Sequence, residues 1–419
     1  MMRHRPPVLV VVALLMPLVV IPTGSASGAS WQSATTGTPD ANVGALAADP
    51  TDPQTVYAAE FGGAFRTTTG GTSWSSIATG VLTDTFVHAF AVDPSTPTTL
   101  YAGALTGTIF VFPESGGLYK SLDAGANWTR INTGLTNYDV YDVAIDPSTP
   151  TTVYAATAGG FFKSTNGGTS WTKKPTASSY FITVLAIDPA TPATIYAGTG
   201  NSNDGLLAST DGGETWAVRN TGLTQKFVRD LAIDPATPTT IYAATFSKGV
   251  FKTIDGAATW TAVNVGFTTT DVICVAVDPT QPNTLYAGTA DAGIFVSTDG
   301  AGSWTAMNAG LPDDLEINDL LVTAANPSRA YAATYGGGIF VLLPPCGDGV
   351  VDPGEECDDG DTRNGDGCDA NCTPTACGNG IVSAGEQCDD GPRGSLVCTA
   401  SCTEPVCGDG STTPFSGEL

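Results

Sequence analysis

The sequence predicts an all-β chain: a seven-bladed β-propeller closed by an N-terminal strand, with small disulfide-rich repeats at the C-terminus. Three observations predict it. One phrase returns seven times along the chain, all seven tryptophans take one position within that repeat, and the composition changes abruptly after Pro344-Pro345.

The phrase is an apolar run, Asp-Pro, a few polar residues, a second Pro, then an aliphatic residue and Tyr-Ala. Its Asp falls at Asp49, Asp93, Asp146, Asp188, Asp234 and Asp278, and Asn326-Pro327 is expected to stand in for Asp-Pro in the seventh copy. Its Tyr falls at Tyr57, Tyr101, Tyr154, Tyr196, Tyr242, Tyr286 and Tyr331. The period is about 45 residues, a length typical of propeller repeats, and one longer copy carries an insertion near residues 104–117. Runs such as 140–145 and 241–245 are short, rich in Val, Ile, Tyr and Thr, and bounded by turn residues, so they read as strands. Each period has room for four such strands and none shows a sustained helical period. A repeat of that kind is one propeller blade.

A second signature sits inside the repeats. Ser121-Leu-Asp123-Ala-Gly125-Ala-Asn-Trp128 and Ser209-Thr-Asp211-Gly-Gly213-Glu-Thr-Trp216 follow the pattern Ser/Thr-x-Asp-x-Gly-x-x-Trp. Looser copies end at Trp74, Trp171, Trp260 and Trp304, with Thr69 or Asn166 for Asp in the first two and Ala257 or Ala301 for Gly in the others; Asp255 and Asp299 are kept. The pattern resembles the Asp box, or bacterial neuraminidase repeat, of sialidases, xyloglucan-cleaving hydrolases, sortilin-type receptor domains and a photosystem assembly factor. The resemblance implies a turn between the third and fourth strands of a blade. Asp and Ser/Thr can satisfy turn amides, Gly accepts positive φ, and Trp packs between blades, so the role expected of the box is structural.

Ring closure follows from the seventh tryptophan. The last repeat runs from Ile317 to Leu342 and stops without a box, whereas the segment from Gly28 through Trp31 to Gly37 matches that from Gly302 through Trp304 to Gly310. The strand beginning at Trp31 is therefore expected to complete the seventh blade beside Ile339 to Leu342, which removes an open sheet edge. The propeller is placed at residues 30–343.

Residues 1–29 read as an export signal. Arg3, His4 and Arg5 make a basic start, Val8 to Ile21 is almost unbroken apolar sequence, and Ser25-Ala26 and Ser27-Gly28-Ala29 offer cleavage sites. No later segment approaches the ~20 apolar residues that cross a bilayer. The mature chain is expected to be secreted or held at a bacterial cell surface, with no membrane span. A formal net charge of −25 makes nucleic acid and anionic membranes poor partners.

All but one of the ten cysteines lie in residues 346–407, and behind an export signal that crowding reads as a disulfide framework. Cys346, Cys357, Cys368 and Cys372 form one copy and Cys377, Cys388, Cys398 and Cys402 a second, at spacings equal to within one residue. The pattern resembles a disulfide repeat found in tandem on exported myxobacterial proteins. Two bridges per copy are expected, in any of three pairings. Cys407-Gly-Asp-Gly opens a third copy, and Leu419 falls one position before the next expected cysteine, so further repeats are expected beyond it. Asp358, Asp359, Asp361, Asn364 and Asp366 gather oxygen donors as calcium loops do. A solvated acidic turn is the competing reading, and calcium is the one cofactor the sequence suggests.

Function is expected on the face opposite the Ser/Thr-x-Asp turns, where the fourth-to-first and second-to-third strand loops converge. Aligning the innermost strands puts Asp142, Asp230 and Asp319 in one column, preceded by Tyr141, Arg229 and Asn318. Tyr138, Asp139, Phe227, Asp313, Asp314 and Glu316 lie nearby. Tyr138, Tyr141, Asp142, Phe227, Arg229, Asp230, Asn318 and Asp319 form the candidate ligand-binding set, since rings beside carboxylates suit sugar stacking and hydroxyl recognition. The expected function is a non-enzymatic scaffold binding an extracellular glycan or protein. The alternative is a glycoside hydrolase using Asp142, Asp230 or Asp319 as paired carboxylates. A sialidase needs three arginines around a carboxylate, and only Arg66, Arg130, Arg219, Arg229 and Arg329 are available in the propeller. The xyloglucan hydrolases resemble the Asp-Pro and Tyr-Ala phrases better, but they work in a cleft between two propellers. The same aspartates could also serve simply to satisfy backbone at the channel mouth.

Overall fold

The computed structural model describes residues 29–343 apart from 38–41, 61–62, 80–81, 83–85, 107–115, 176–180, 201–203, 314 and 325–328. The leader, the tail with all its cysteines, the acidic loop 358–366 and Asp314 lie outside the described residues. The chain forms seven four-stranded antiparallel sheets arranged as the blades of a propeller. Blade 3 shows the plan: Val140–Ile145, Val153–Thr157, Gly160–Ser164 and Thr172–Lys173 follow one another from channel to rim. The second strand carries the Tyr-Ala phrase and is buried along its whole length, because a neighbouring blade covers each of its faces. The first strand mixes buried and half-buried residues, because part of it looks into the channel.

The core is distributed rather than central. Seven hydrophobic clusters form, one at each blade interface. Tyr57 and Ala59 of blade 1, for example, pack with Leu100, Tyr119 and Trp128 of blade 2. No sheet this small can bury both faces alone, so stability has to come from neighbours.

Blade 7 is assembled from both ends of the propeller. Ser30–Ser33 pairs antiparallel with Gly338–Leu343, with Trp31 opposite Leu342. Trp31 is buried, its backbone N–H donates to Ala309 O at 2.8 Å and its Nε1 to Met307 O at 2.9 Å. These bonds repeat around the ring. Trp128, Trp171, Trp260 and Trp304 send Nε1 to Ile77, Ile131, Arg219 and Val263 carbonyls of the preceding blade at 2.7–3.0 Å. Gly134, Gly222, Gly266 and Gly310 lie against the tryptophan backbone of the following blade at positive φ, and a Cβ there would collide with the tryptophan carbonyl. Trp216 departs from this pattern. Its Nε1 reaches only Gly213 O of its own turn, at 3.2 Å, and the preceding blade continues Lys174-Pro175 where its neighbours lead into a Thr-Gly.

The Asp-Pro phrase makes the turn between first and second strands. In Asp146 the backbone N–H donates to Thr152 O, while Oδ1 accepts from the Ser148 and Thr149 amides; Asp49, Asp93, Asp188, Asp234 and Asp278 repeat the arrangement. The seventh copy requires a correction. Thr323 takes the aspartate's place, its N–H donating to Arg329 O at 2.9 Å, so Asn326 matches a residue three positions further along the phrase.

Candidate functional site

At the upper end of every first strand the pairing with the second strand slips by one residue, between Val140 and Asp142 in blade 3, for instance. The skipped residues are Gly44, His88, Tyr141, Thr183, Arg229, Ile273 and Asn318. A bulge re-aims the side chains around it. Here the skipped residue and the one after it both reach the central channel, where they line a cavity of about 640 Å³. That volume lies within the range of small-molecule pockets.

Three of the lining residues are the aspartates of one column, and each joins two blades. Asp142 accepts from Val143 N–H and, across the interface, from Leu185 N–H of blade 4, both at 2.7 Å. Asp230 accepts from Leu231 and from Val275 of blade 6 at 2.7 and 2.8 Å. Asp319 accepts from Leu320 and from Leu46 of blade 1 at 2.8 and 2.7 Å. Other junctions use other groups. His88 Nδ1 lies 2.9 Å from Tyr141 O, which can only accept, so Nδ1 carries the proton. Thr183 Oγ1 donates to Val228 O at 2.7 Å, Cys274 Sγ to Ile317 O at 3.6 Å, and Asn318 Nδ2 to Val43 O at 2.8 Å.

The aspartates are half-buried by area, yet the solvent that reaches them is confined to the channel and protein surrounds them on every other side. The enclosure governs their charge. Burial pushes Asp142 up to about 7 against the opposing pull of its two amides, and Asp230 adds to the rise. Burial, then the charge of Asp230, takes Asp319 up to about 8. Asp230 is raised by burial alone, against its amides. Burial lowers His88 and keeps it neutral, and raises the Cys274 thiol well above its ordinary range.

The rim is divided. On one side Phe86, His88, Tyr141 and Phe181 form a chain of rings, with His88 and Tyr141 5.5 Å apart and Tyr141 and Phe181 edge-to-face at 4.5 Å. On the other, Arg229 Nη1 lies 2.8 Å from Asp271 Oδ1, and its guanidinium lies over Phe246, which in turn packs on Phe227.

Of the candidate ligand-binding set, Tyr141, Asp142, Phe227, Arg229, Asp230, Asn318 and Asp319 share this cavity. Tyr138 does not. It sits outside the lining, partly exposed, with Arg130 over its ring. Asp139 accepts from Thr106 and is likewise outside. Phe86, His88, Phe181, Thr183, Asn42 and Tyr335 also line the cavity and were not singled out by sequence. Among the described arginines only Arg229 lines it; Arg66 donates to Ala124 O and Arg329 to Gln54 at the opposite end of the blades. No three-arginine cluster forms there. Among the described residues, no group of three or more His, Cys, Asp or Glu is placed to hold a metal ion.

The protein is thus a seven-bladed β-propeller with a lined cavity at one mouth of its channel. Family comparisons agree with that class. The profile "Sortilin, neurotensin receptor 3" matches residues 204–313 and the DUF6242 β-propeller domain matches residues 85–230. Comparison with curated proteins finds no match. Among solved structures, the chain is similar to a GH74 enzyme of Niastella koreensis, with 22% identity over 74% of this chain and 53% of that one, TM-score 0.61. It is similar to the GH74 xyloglucanase of Xanthomonas campestris, with 20% identity over 75% and 53%, TM-score 0.59. It is also similar to YCF48 of Cyanidioschyzon merolae, with 15% identity over 75% and 98%, TM-score 0.56, and to YCF48 bound to D1 peptide, with 13% over 75% and 96%, TM-score 0.57. The chain spans about half the length of the two GH74 enzymes and nearly the whole of YCF48. At these identities the likeness is one of fold.

Proposed function

We propose that this propeller is an exported, non-enzymatic binding scaffold whose channel-mouth cavity recognises a glycan or a protein segment. One observation carries the reading. Asp142, Asp230 and Asp319 each spend both oxygens on backbone amides, one in their own strand and one in the next blade, and so tie the two together. Carboxylates used in that way serve the ring, and the half-buried rings that line the cavity beside them supply contact area. YCF48, nearly all of whose length this chain matches, has been solved bound to D1 peptide, and a binding role needs no second propeller. The hydrolase alternative draws on Asp142 at about 7 and Asp319 at about 8, values suited to a general acid. A screen against polysaccharides, aryl glycosides and peptides, read for binding and for reducing-sugar release, separates the two. Binding without release is expected. Release that Asp142→Asn or Asp319→Asn abolishes in a folded protein would establish the hydrolase instead.

A further inference from the structure

We infer that the cavity takes a cationic group, a lysine or arginine side chain presented by a peptide or protein, in preference to a neutral sugar or an anion. The inference deepens the binding-scaffold reading and rests on it.

Charge in the cavity comes first. Lys163 and Lys174 pair with Glu214, away from the residues that line the cavity, and Arg229 pairs with Asp271 at its rim. Arg229 is therefore already neutralised, and His88 is neutral. The hydrogen-bond partners of Asp142, Asp230 and Asp319 are uncharged amides. Once ionised, the three aspartates have no cation opposite them among the described residues, and each carboxylate oxygen keeps a lone pair beyond its single amide. An anionic ligand would meet this charge unscreened in a confined, poorly solvated space.

The walls select the kind of cation. Phe86, Tyr141, Phe181 and Phe227 line the cavity, and aromatic faces attract organic cations while offering nothing to a strongly hydrated metal ion. Among the described residues no metal-binding group of carboxylates exists either. The chain also contains an internal example of the arrangement. The Arg229 guanidinium lies 4.8 Å from the Phe246 ring centre with the Asp271 carboxylate 2.8 Å from Nη1. A ligand cation between the Tyr141–Phe181 pair and the aspartates would repeat it. The net charge of −25 steers positive partners toward the protein and repels negative ones.

The test is calorimetric titration of the full chain with acetyl-Gly-Gly-X-Gly-Gly-amide, where X is Lys, Arg, Gln or Glu, and with cellohexaose. The Lys and Arg peptides are expected to bind at least about tenfold more tightly than the Gln peptide, and the Glu peptide not measurably. Their affinity should fall as salt is added. It should rise between about pH 6 and 9, where Asp142 and Asp319 ionise while lysine stays charged. Phe181→Ala should weaken the Lys peptide about tenfold. Arg229→Gln, which frees Asp271, should strengthen it, a gain that damaged folding cannot imitate. Equal binding of the Gln peptide, or binding of cellohexaose alone, overturns the cationic inference and leaves the scaffold reading standing. Failure of every probe to bind overturns both.

Discussion

The two faces of the propeller use the same strands in opposite ways. At the lower face the repeats are nearly interchangeable. Ser121 Oγ accepts from the Gly125 amide and donates to Asp123, whose Oδ1 accepts from the Asn127 amide; Ser209 with Asp211, Thr253 with Asp255, and Ser297 with Asp299 do the same. At the upper face the bulge residues differ in kind from blade to blade, from Gly44 to Arg229. Every blade must seat the next blade's tryptophan, so the lower turn has one solution. At the upper bulge the inter-blade contact is made by whichever group is at hand, a His ring, a Thr hydroxyl, a Cys thiol, an Asn amide or an Asp carboxylate, so the position carries no single residue demand.

The faces also differ in the sign of their electrostatics. Hydrogen bonds to the side chain hold Asp123 below the ordinary carboxylate range and Asp211 and Asp255 at about 2, and a backbone amide lowers Asp299. The channel aspartates move the other way.

Breaking the lower architecture should have the largest effect. Deleting residues 30–37 removes the rim strand of blade 7 and buried Trp31, at a cost on the order of 5 kcal/mol or more. The deletion should lower the midpoint of denaturant unfolding sharply; an unchanged midpoint would refute closure by this strand. Next comes Trp260→Ala, at about 3–5 kcal/mol by the same measurement. Trp216→Ala should cost visibly less, because Trp216 Nε1 donates within its own turn and, among the described residues, makes no bond to the preceding blade. Equal losses would mean that the inter-blade bond contributes nothing.

A pH series sharpens the contrast in sign. The lower aspartates have depressed folded values, so the stability they supply is complete above their unfolded value of about 4. It is lost as pH falls toward about 2. Asp142 and Asp319 have raised folded values, so the folded state holds their protons more tightly. Stability is therefore greatest below the unfolded value for these two and declines as pH rises through about 7 and about 8. The melting temperature should fall from about pH 5 to pH 9, and Asp319→Asn should flatten that slope even if it lowers the overall value. A slope unchanged by Asp319→Asn would contradict the assignment. The smallest effect expected is at Ala124, which holds φ 55° where the matching residues are Gly167 and Gly212. Ala124→Gly should be neutral or stabilising by up to about 1 kcal/mol as the left-handed strain is relieved.

Much of this was written in the sequence. Seven tryptophans at one repeat position specified the blade count and the split seventh blade, because a periodic packing demand leaves a periodic residue. The aspartate column was visible for the same reason. Satisfying backbone at the channel mouth was among the roles legible for its members, but which amides they bind was not, since the donating amides of Leu185, Val275 and Leu46 belong to the next blade and backbone donors leave no residue signature. Phe86 and Phe181 stand one residue before the first-strand valine or isoleucine, as Phe227 does, and reading that column through every blade would have found them. Tyr138 stands outside the lining: loop proximity in sequence says little about which side of a rim a ring takes. The Asn326 misregister has a similar origin: a dipeptide match outweighed the spacing to Tyr331.

The division of labour between faces is tested most directly by one paired measurement, melting temperature and affinity for the lysine peptide, on Asp211→Ala and Tyr141→Leu. The first should melt several degrees lower and, at a temperature where it remains folded, bind as the parent does. The second should melt close to the parent and bind about tenfold more weakly. Loss of binding by Asp211→Ala at full stability, or undiminished binding by Tyr141→Leu, would contradict the account.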